Sequence, residues 1–390
     1  MQYSEKILTL EESNTLAISA LAQSLKKAGK EIINLSTGEP DFDTPQAIKD
    51  SAIKAINEGF SKYTAVSGIA ELKTAISEKL QRDNSLSYAP NEIIVSNGAK
   101  HSLFNAFGAV LNAGDEVLIP SPYWVSYPEI TKYNQATPIF LPTSEQNHFK
   151  ITPEQLRSAL TPRTKLLILN SPSNPTGSLY SKEELLALGE VLKGSNVWVI
   201  SDEIYEKLTY SEGFTSVASL SEDLLQRTIT INGLSKSTAM TGWRMGYLAS
   251  KDKTLIKAID NLQGNSTSNI NSFTQMASIT ALSPALESEI QAMAQKFRER
   301  RDFAYAKCST ISSLSLNLPD GAFYLFINIA NVKRFGGDSM KFCQALLEEQ
   351  GVALVPGVAF GVDGFVRMSF ATSLEMIERG FEKIAKFVES

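Results

Sequence analysis

Apolar positions change period several times along the chain. From Thr15 to Ala28 they recur at helical spacing (Leu16, Ile18, Leu21, Ala22, Leu25) and Gly29 ends the run. This predicts a helix, preceded by an arm over residues 1–11 with little periodicity. Glu31–Leu35 reads as a short strand. Thr44-Pro45 opens a predicted helix to about Asn57, with proline in the first turn and Gly59 closing it. Another helix follows Gly68 and runs to about Arg82.

In the centre, near-continuous apolar runs alternate with helical periods. Predicted strands are Ile93–Ser96, Glu116–Ile119, Lys165–Asn170, Val197–Ser201, Thr228–Ile231 and Met245–Ala249. Predicted helices between them are Lys100–Leu111, Trp124–Tyr133, Pro153–Leu160 and Ser181–Leu192. The alternation predicts an α/β architecture, a mostly parallel sheet covered by helices on both faces. Such sheets take ligands at the carboxyl ends of their strands, so the loops after these strands are where chemistry is sought.

After Leu262 the pattern turns helical, and Ser283-Pro284 opens a periodic run to about Ile311. The remainder mixes strands (Ala322–Ile329, Val352–Val355, Phe365–Phe370) with helices (Asp338–Gln350, Leu374–Val388), an α+β pattern. The expected division is a large domain over 46–290 and a smaller α+β domain built from 1–45 and 291–390 with the N-terminal arm. No internal repeat or low-complexity linker is visible.

Composition narrows the class. A chain of 390 residues exceeds one ordinary core, and 43% hydrophobic with 20% charged residues describes a soluble globular protein. The net charge of −5, without a basic patch, argues against a nucleic-acid partner. The cysteines Cys308 and Cys343 fall in predicted helices and, with His101 and His148, form no close pair, so no metal site is expected. No apolar run reaches the ~18 residues of a membrane helix. Met1–Leu10 shows no secretory signal, so the expected location is cytoplasmic.

Candidate chemistry centres on Thr230–Gly246. A strand runs into Asn232-Gly233, then Ser235-Lys236, then Arg244 between Gly242 and Gly246. Taken alone, a lysine after a strand is usually a solvated loop residue. Desolvated there, it loses charge and becomes a nucleophile toward carbonyls. The Arg244 fork suits phosphate. A Schiff-base lysine with a phosphate clamp is what pyridoxal phosphate requires.

Other strand ends carry matching features. Asn97-Gly98-Ala99-Lys100 opens a helix whose N-terminus favours an anion, and Lys100 is out of place there unless an anion is close. Trp124 in Pro120-Ser121-Pro122-Tyr123-Trp124 is either a core anchor or a stacking partner. Asn170 to Gly177 holds two X-Pro units, a stiff turn carrying Asn174. Asp202, at a buried strand end ahead of Tyr205, is an N-cap or a carboxylate that must be paired. Arg367, inside the alternating strand Gly364–Phe370, is an outward surface residue or a two-pronged carboxylate clamp. Gly38, in Ser36-Thr37-Gly38-Glu39-Pro40-Asp41-Phe42, allows close approach of a ligand to the backbone.

The stretch Ser235-Lys236 to Gly246 resembles the lysine segment of the class I aminotransferases, of the aspartate aminotransferase type, and matching segments run from about Ser36 to Ala371. The resemblance implies fold type I and pyridoxal 5′-phosphate bound covalently to Lys236. It places the phosphate on Gly98, Ala99, Lys100, Ser235 and Arg244, with Tyr63 reaching it across a homodimer interface. It stacks the cofactor ring on Trp124, sets Asp202 at the pyridinium nitrogen, and gives the phenolic oxygen to Asn174 and Tyr205. Arg367 and Gly38, with Trp124 and Asn174 nearby, receive the substrate α-carboxylate, and Lys100 receives a distal carboxylate.

The implied reaction is amino transfer from L-aspartate to 2-oxoglutarate by a ping-pong mechanism. Broader or aromatic specificity, a β-lyase or decarboxylase on the same fold, and an aminotransferase-like ligand sensor are the alternatives. A sensor fused to a DNA-binding domain needs residues ahead of the pattern, which begins within the first 40. Relatives that also use prephenate carry a lysine just before the Ser/Thr pair of the first helix. Leu10-Glu11-Glu12-Ser13-Asn14-Thr15 has acids there, which argues against prephenate.

Overall fold

The computed structural model describes residues 3–10, 14–211 and 213–389. The Glu11-Glu12-Ser13 stretch that bears on prephenate therefore lies outside the described residues. Twelve strands are present among these residues: β1 (Ile33–Asn34), β2 (Ile93–Ser96), β3 (Glu116–Ser121), β4 (Thr137–Pro142), β5 (Thr164–Asn170) and β6 (Trp198–Asp202) come first. β7 (Thr228–Gly233), β8 (Gly246–Ala249), β9 (Tyr324–Asn328), β10 (Val352–Ala353), β11 (Val355–Pro356) and β12 (Phe365–Ser369) follow.

Seven of them form one sheet in the order β2-β8-β7-β6-β5-β3-β4. β8 runs antiparallel to both neighbours, and every other pair is parallel. β2, β7 and β8 are buried at every position, as sheets covered on both faces require. Leu103, Phe107 and Ile259 pack on one face, and Leu185, Leu188 and Leu224 on the other.

β4 escapes the apolar-run reading. Its Thr-Pro-Ile-Phe-Leu-Pro sequence carries Pro138 and Pro142 and leaves most positions partly exposed. Proline cannot donate to a ladder, so the strand sits at the edge, paired only with β3. The expected strand Glu31–Leu35 shrinks to two residues, and the expected strand from Met245 begins at Gly246. The 1–11 arm contains a helical turn, Glu5–Leu8, and Lys6 Nζ lies 4.8 Å from the Tyr133 ring centre. Pro45 has extended ψ and caps the helix Gln46–Asn57 rather than entering its first turn.

The C-terminal part holds an antiparallel sheet, β11-β12-β9, and β1 pairs in parallel with β10. Ile33 and Leu35 thereby join a core with Phe323, Leu346 and Ile384. The run expected from Ser283 starts as a 3-10 turn, Pro284–Leu286, before the helix Glu287–Ser309. That helix serves two cores: Ile290 packs with Ile48 and Leu72, while Met293 and Phe297 pack with Phe323 and Phe370. Among the described residues no helix is long and apolar enough to cross a membrane.

Candidate active site

The parallel strands deliver their carboxyl ends to one cavity of ≈ 950 Å³. Eleven of the thirteen sequence-predicted site residues line it; Gly98 lies beneath Arg244, and Tyr63 stands apart.

The corner where Arg244 meets a helix N-terminus is set by two glycines. Gly246 opens β8 directly under the helix Ala99–Val110, where a Cβ would collide with the Ala99 nitrogen. Gly98 caps that helix at φ 84, and a Cβ there would strike the Arg244 guanidinium. Arg244 itself has φ 56 and donates from Nη1 to Thr241 O at 2.8 Å. A fork of donors thus lies across a helix N-terminus, beside buried Ser235.

Asp202 ends β6, level with Asn170 on β5 and Ile231 on β7. It is buried, and desolvation lifts its carboxyl to about 6. Two neutral donors oppose that: Tyr127 Oη at 2.7 Å and the Ile204 amide at 3.3 Å. Tyr127 also meets the Trp124 ring edge-on at 5.3 Å. On the facing wall Tyr205 shares a 2.9 Å hydrogen bond with Tyr324. Asn170 receives the Asn174 amide at 2.9 Å, which fixes the loop that carries Asn174.

Lys236 sits in the one-turn helix Leu234–Ser237 after β7. Its amine donates to Gly38 O at 2.5 Å and lies 5.6 Å from the Phe323 ring centre. The side chain keeps some contact with the open cleft, yet protein atoms surround the amine closely. Its pKa is lowered to about 8, chiefly by burial, with Arg367 and Arg244 pushing the same way and Glu39 and Asp202 opposing.

Arg367 projects from β12, buried, and stacks on Tyr324 with its guanidinium 4.3 Å from the ring centre. Nη1 donates to Asn174 Oδ1 at 3.0 Å and Nη2 to Ser36 O at 2.9 Å, while buried Nε has no protein partner. The alternating pattern of β12 thus points this arginine inward rather than to the surface. Lys100, expected to face an anion, has its amine 4.9 Å from the Trp124 ring centre, where the aromatic face attracts the cation. Burial and the Arg244 charge both lower its pKa. Tyr63 is 91% exposed and outside the cavity wall.

These residues fit pyridoxal phosphate on the chemistry of the donor set. Asp202 is a buried carboxylate whose hydrogen bonds come from neutral donors, with the Lys236 charge acting on it only weakly, and a cationic ring nitrogen would satisfy it. The Arg244 and Ala99 corner suits a dianion, and the Lys236 amine is desolvated between them.

Tyr127, Tyr324, Asn170 and Glu39 complete the wall and were not singled out from sequence. Tyr127 carried a usable signal: it lies three residues after Trp124, on the same face of the predicted helix Trp124–Tyr133, although the helix itself begins only at Ser126. Tyr324 carried none, since an aromatic at the start of an apolar strand reads as core.

Residues 30–384 match the family model for aminotransferase class I and II. The chain is 48% identical to the aspartate aminotransferase of Bacillus subtilis (strain 168), covering 100% of this chain and 99% of the relative. It is 45% identical to the aspartate/prephenate aminotransferase of Nitrosomonas europaea, covering 100% of both chains. The crystal structure of the aspartate aminotransferase from Rhizobium meliloti superposes with a TM-score of 0.96 at 41% identity, covering 100% of this chain and 99% of that one. With its parallel-centred sheet and the wall around Lys236, the chain belongs to the class I and II aminotransferases, a pyridoxal-phosphate-dependent family of fold type I.

Proposed function

We propose that this chain is an aspartate aminotransferase, moving the amino group of L-aspartate to 2-oxoglutarate in two half-reactions. The observation that carries the reading is the single cavity lined by Lys236, Asp202, Arg244 and Arg367. The full-length similarity to aspartate aminotransferases supports the substrate.

When bound, pyridoxal phosphate supplies a ring that withdraws electrons from the substrate Cα. Lys236 would anchor it, and Arg244, Ser235, Gly98 and Ala99 would hold its phosphate. Asp202 would keep the ring nitrogen charged, Trp124 would offer the ring a stacking surface, and Asn174 and Tyr205 would serve its phenolic oxygen. Arg367 grips the substrate α-carboxylate with parallel N–H groups, exchanging its contact with Ser36 O for a charged one. That fixes the Cα hydrogen toward Lys236. An amine brought to about 8 releases and takes up protons near neutral pH, so Lys236 removes the proton from Cα of the amino acid. In the return half-reaction it delivers a proton to the carbonyl carbon of the 2-oxo acid. Lys100 meets the distal carboxylate.

The working unit is a homodimer in which Tyr63 serves the neighbouring site. Its exposure here, with Ile53 and Ile56 also exposed on the helix Gln46–Asn57, supports that arrangement. The chain divides into 46–290 and a smaller unit of 1–45 with 291–390. The change of core between Ile290 and Met293 supports that division.

Borohydride reduction in the presence of pyridoxal phosphate, followed by peptide mass mapping, tests the core of the reading. The pyridoxyl label should fall on Lys236; a label on another lysine overturns the assignment. Aspartate with 2-oxoglutarate should then yield oxaloacetate and glutamate, whereas release of pyruvate and ammonia from an amino acid with a β leaving group, such as cystathionine, would instead mark a lyase.

A further inference from the structure

The loop ahead of the helix Gln46–Asn57 is laced to the lysine segment at several points. Gly38 O accepts from Lys236 Nζ, and Glu39 Oε2 accepts from Thr241 Oγ1 at 2.8 Å. Thr44 Oγ1 donates to Ala239 O at 2.8 Å and accepts from Trp243 Nε1 at 3.1 Å. Thr241 in turn holds Arg244 through its carbonyl. The loop is also pinned from the other side, where Asp41 meets Arg300 at 2.6 Å.

Glu39 stands out within this lacing. It is exposed to the cleft and lines the same cavity as Lys236. The charged groups acting on Lys236 are Glu39 and Asp202 on the negative side, Arg367 and Arg244 on the positive, with Tyr205 and Phe323 as aromatic neighbours. Asp202 is engaged by Tyr127 and the Ile204 amide and exerts the weaker pull. Burial and two guanidinium groups drive the amine toward its neutral form, and a fixed anion is needed to let it hold a proton.

We propose that Glu39 is a positioning residue for Lys236: tied to Thr241, its carboxylate is the fixed negative charge that faces the amine from the substrate loop. The inference rests on reading Lys236 as the cofactor-bearing amine. A purely mechanical role, in which Glu39 only anchors the loop, predicts different behaviour. Glu39→Gln keeps an oxygen that accepts from Thr241 but removes the charge.

The test is the pH profile of Lys236 acylation in the full-length chain without added cofactor, read peptide by peptide by mass spectrometry. Loss of the anion disfavours the protonated amine, so the Glu39→Gln midpoint should move to lower pH. At pH 7 its Lys236 should label about 3- to 5-fold faster, as a midpoint lowered from about 8 by roughly 0.5–1 on the pH scale implies. Thr241→Val, which keeps the charge but frees it, should move the midpoint the same way by less. Coincident profiles for wild type and Glu39→Gln overturn the inference, as does a change confined to Thr241→Val, which marks Glu39 as an anchor. A wild-type Lys236 that titrates like an ordinary lysine overturns the desolvated amine as well. The borohydride test reads the cofactor assignment independently of all these outcomes.

Discussion

Tyr127 Oη donates to Asp202 Oδ2 at 2.7 Å, and both groups are buried. The phenol is the one side chain with a hydrogen bond to this carboxylate among the described residues, and it partly offsets the burial that leaves the carboxyl raised to about 6. The same ring meets Trp124 edge-on, so one side chain braces the proposed anion and the proposed stacking surface together.

Tyr127→Phe keeps the ring contact and removes the hydrogen bond. Asp202 should then hold its proton to higher pH and pair less well with a ring nitrogen. Affinity for pyridoxal phosphate should fall about tenfold at pH 7, near the low end of the ~1.5–3 kcal/mol of a hydrogen bond to a charged group. Asp202 is charged above its folded pKa, so cofactor binding weakens as pH falls through about 6 in the wild type, and the loss begins at higher pH in the variant. Equilibrium titration of absorbance across pH 5 to 8 checks both parts, and superimposable curves for the two proteins would refute the bracing role.

Much of this site was legible in the sequence because the sheet is parallel and covered. Fully buried strands such as Ile93–Ser96 print as apolar runs, and whatever polar residue follows at the carboxyl end stands out. Asp202 and Lys236 are visible for that reason. What was hidden depends on contacts across the fold. Tyr205 and Tyr324 are 119 residues apart, and nothing local tells that their hydroxyls meet. β4 was hidden by its prolines, which only its edge position tolerates. The helix Glu222–Arg227 was too short for its period to show, although Ser221 caps it by accepting from Leu224 N.

Arg367→Lys keeps the charge and loses the fork. The wild-type guanidinium is fixed by stacking on Tyr324 and by bonds to Asn174 Oδ1 and Ser36 O. A lysine ammonium cannot make the parallel pair that a carboxylate accepts. Cofactor absorbance should be unchanged, while kcat/KM for aspartate drops by the equivalent of roughly 2–5 kcal/mol. Steady-state kinetics on aspartate and on a neutral amino acid decide it; a variant that matches the wild type on both substrates would remove Arg367 from the α-carboxylate site.

The proposed dimer bears directly on the mass in solution. Tyr63, 91% exposed, and Ile53, 54% exposed, are large apolar side chains that a monomer would present to water. Light scattering should return twice the 42.6 kDa of the chain. Tyr63→Phe should weaken cofactor phosphate binding without altering that mass. A monomer with full activity at assay concentration would eliminate the shared site.

In the proposed reading, specificity for aspartate falls to Lys100. A distal carboxylate is costly to desolvate without a cation. Lys100 lines the cavity at the start of the helix Ala99–Val110, where the helix dipole disfavours a cation unless an anion is near. Its amine rests over Trp124, a contact worth about 0.5–1 kcal/mol where exposed, so little opposes its turning to a carboxylate. Its pKa is lowered by burial and by Arg244, and an arriving anion would reverse that change. Lys100→Met should therefore cut kcat/KM for aspartate about 10- to 100-fold, the ~1.5–3 kcal/mol of a charge-assisted hydrogen bond. Alanine and phenylalanine should be nearly unaffected, because neither brings a second carboxylate. Parallel losses on acidic and neutral substrates would instead make Lys100 a support for the phosphate corner beside Arg244, and the choice of aspartate would lose its main residue-level support.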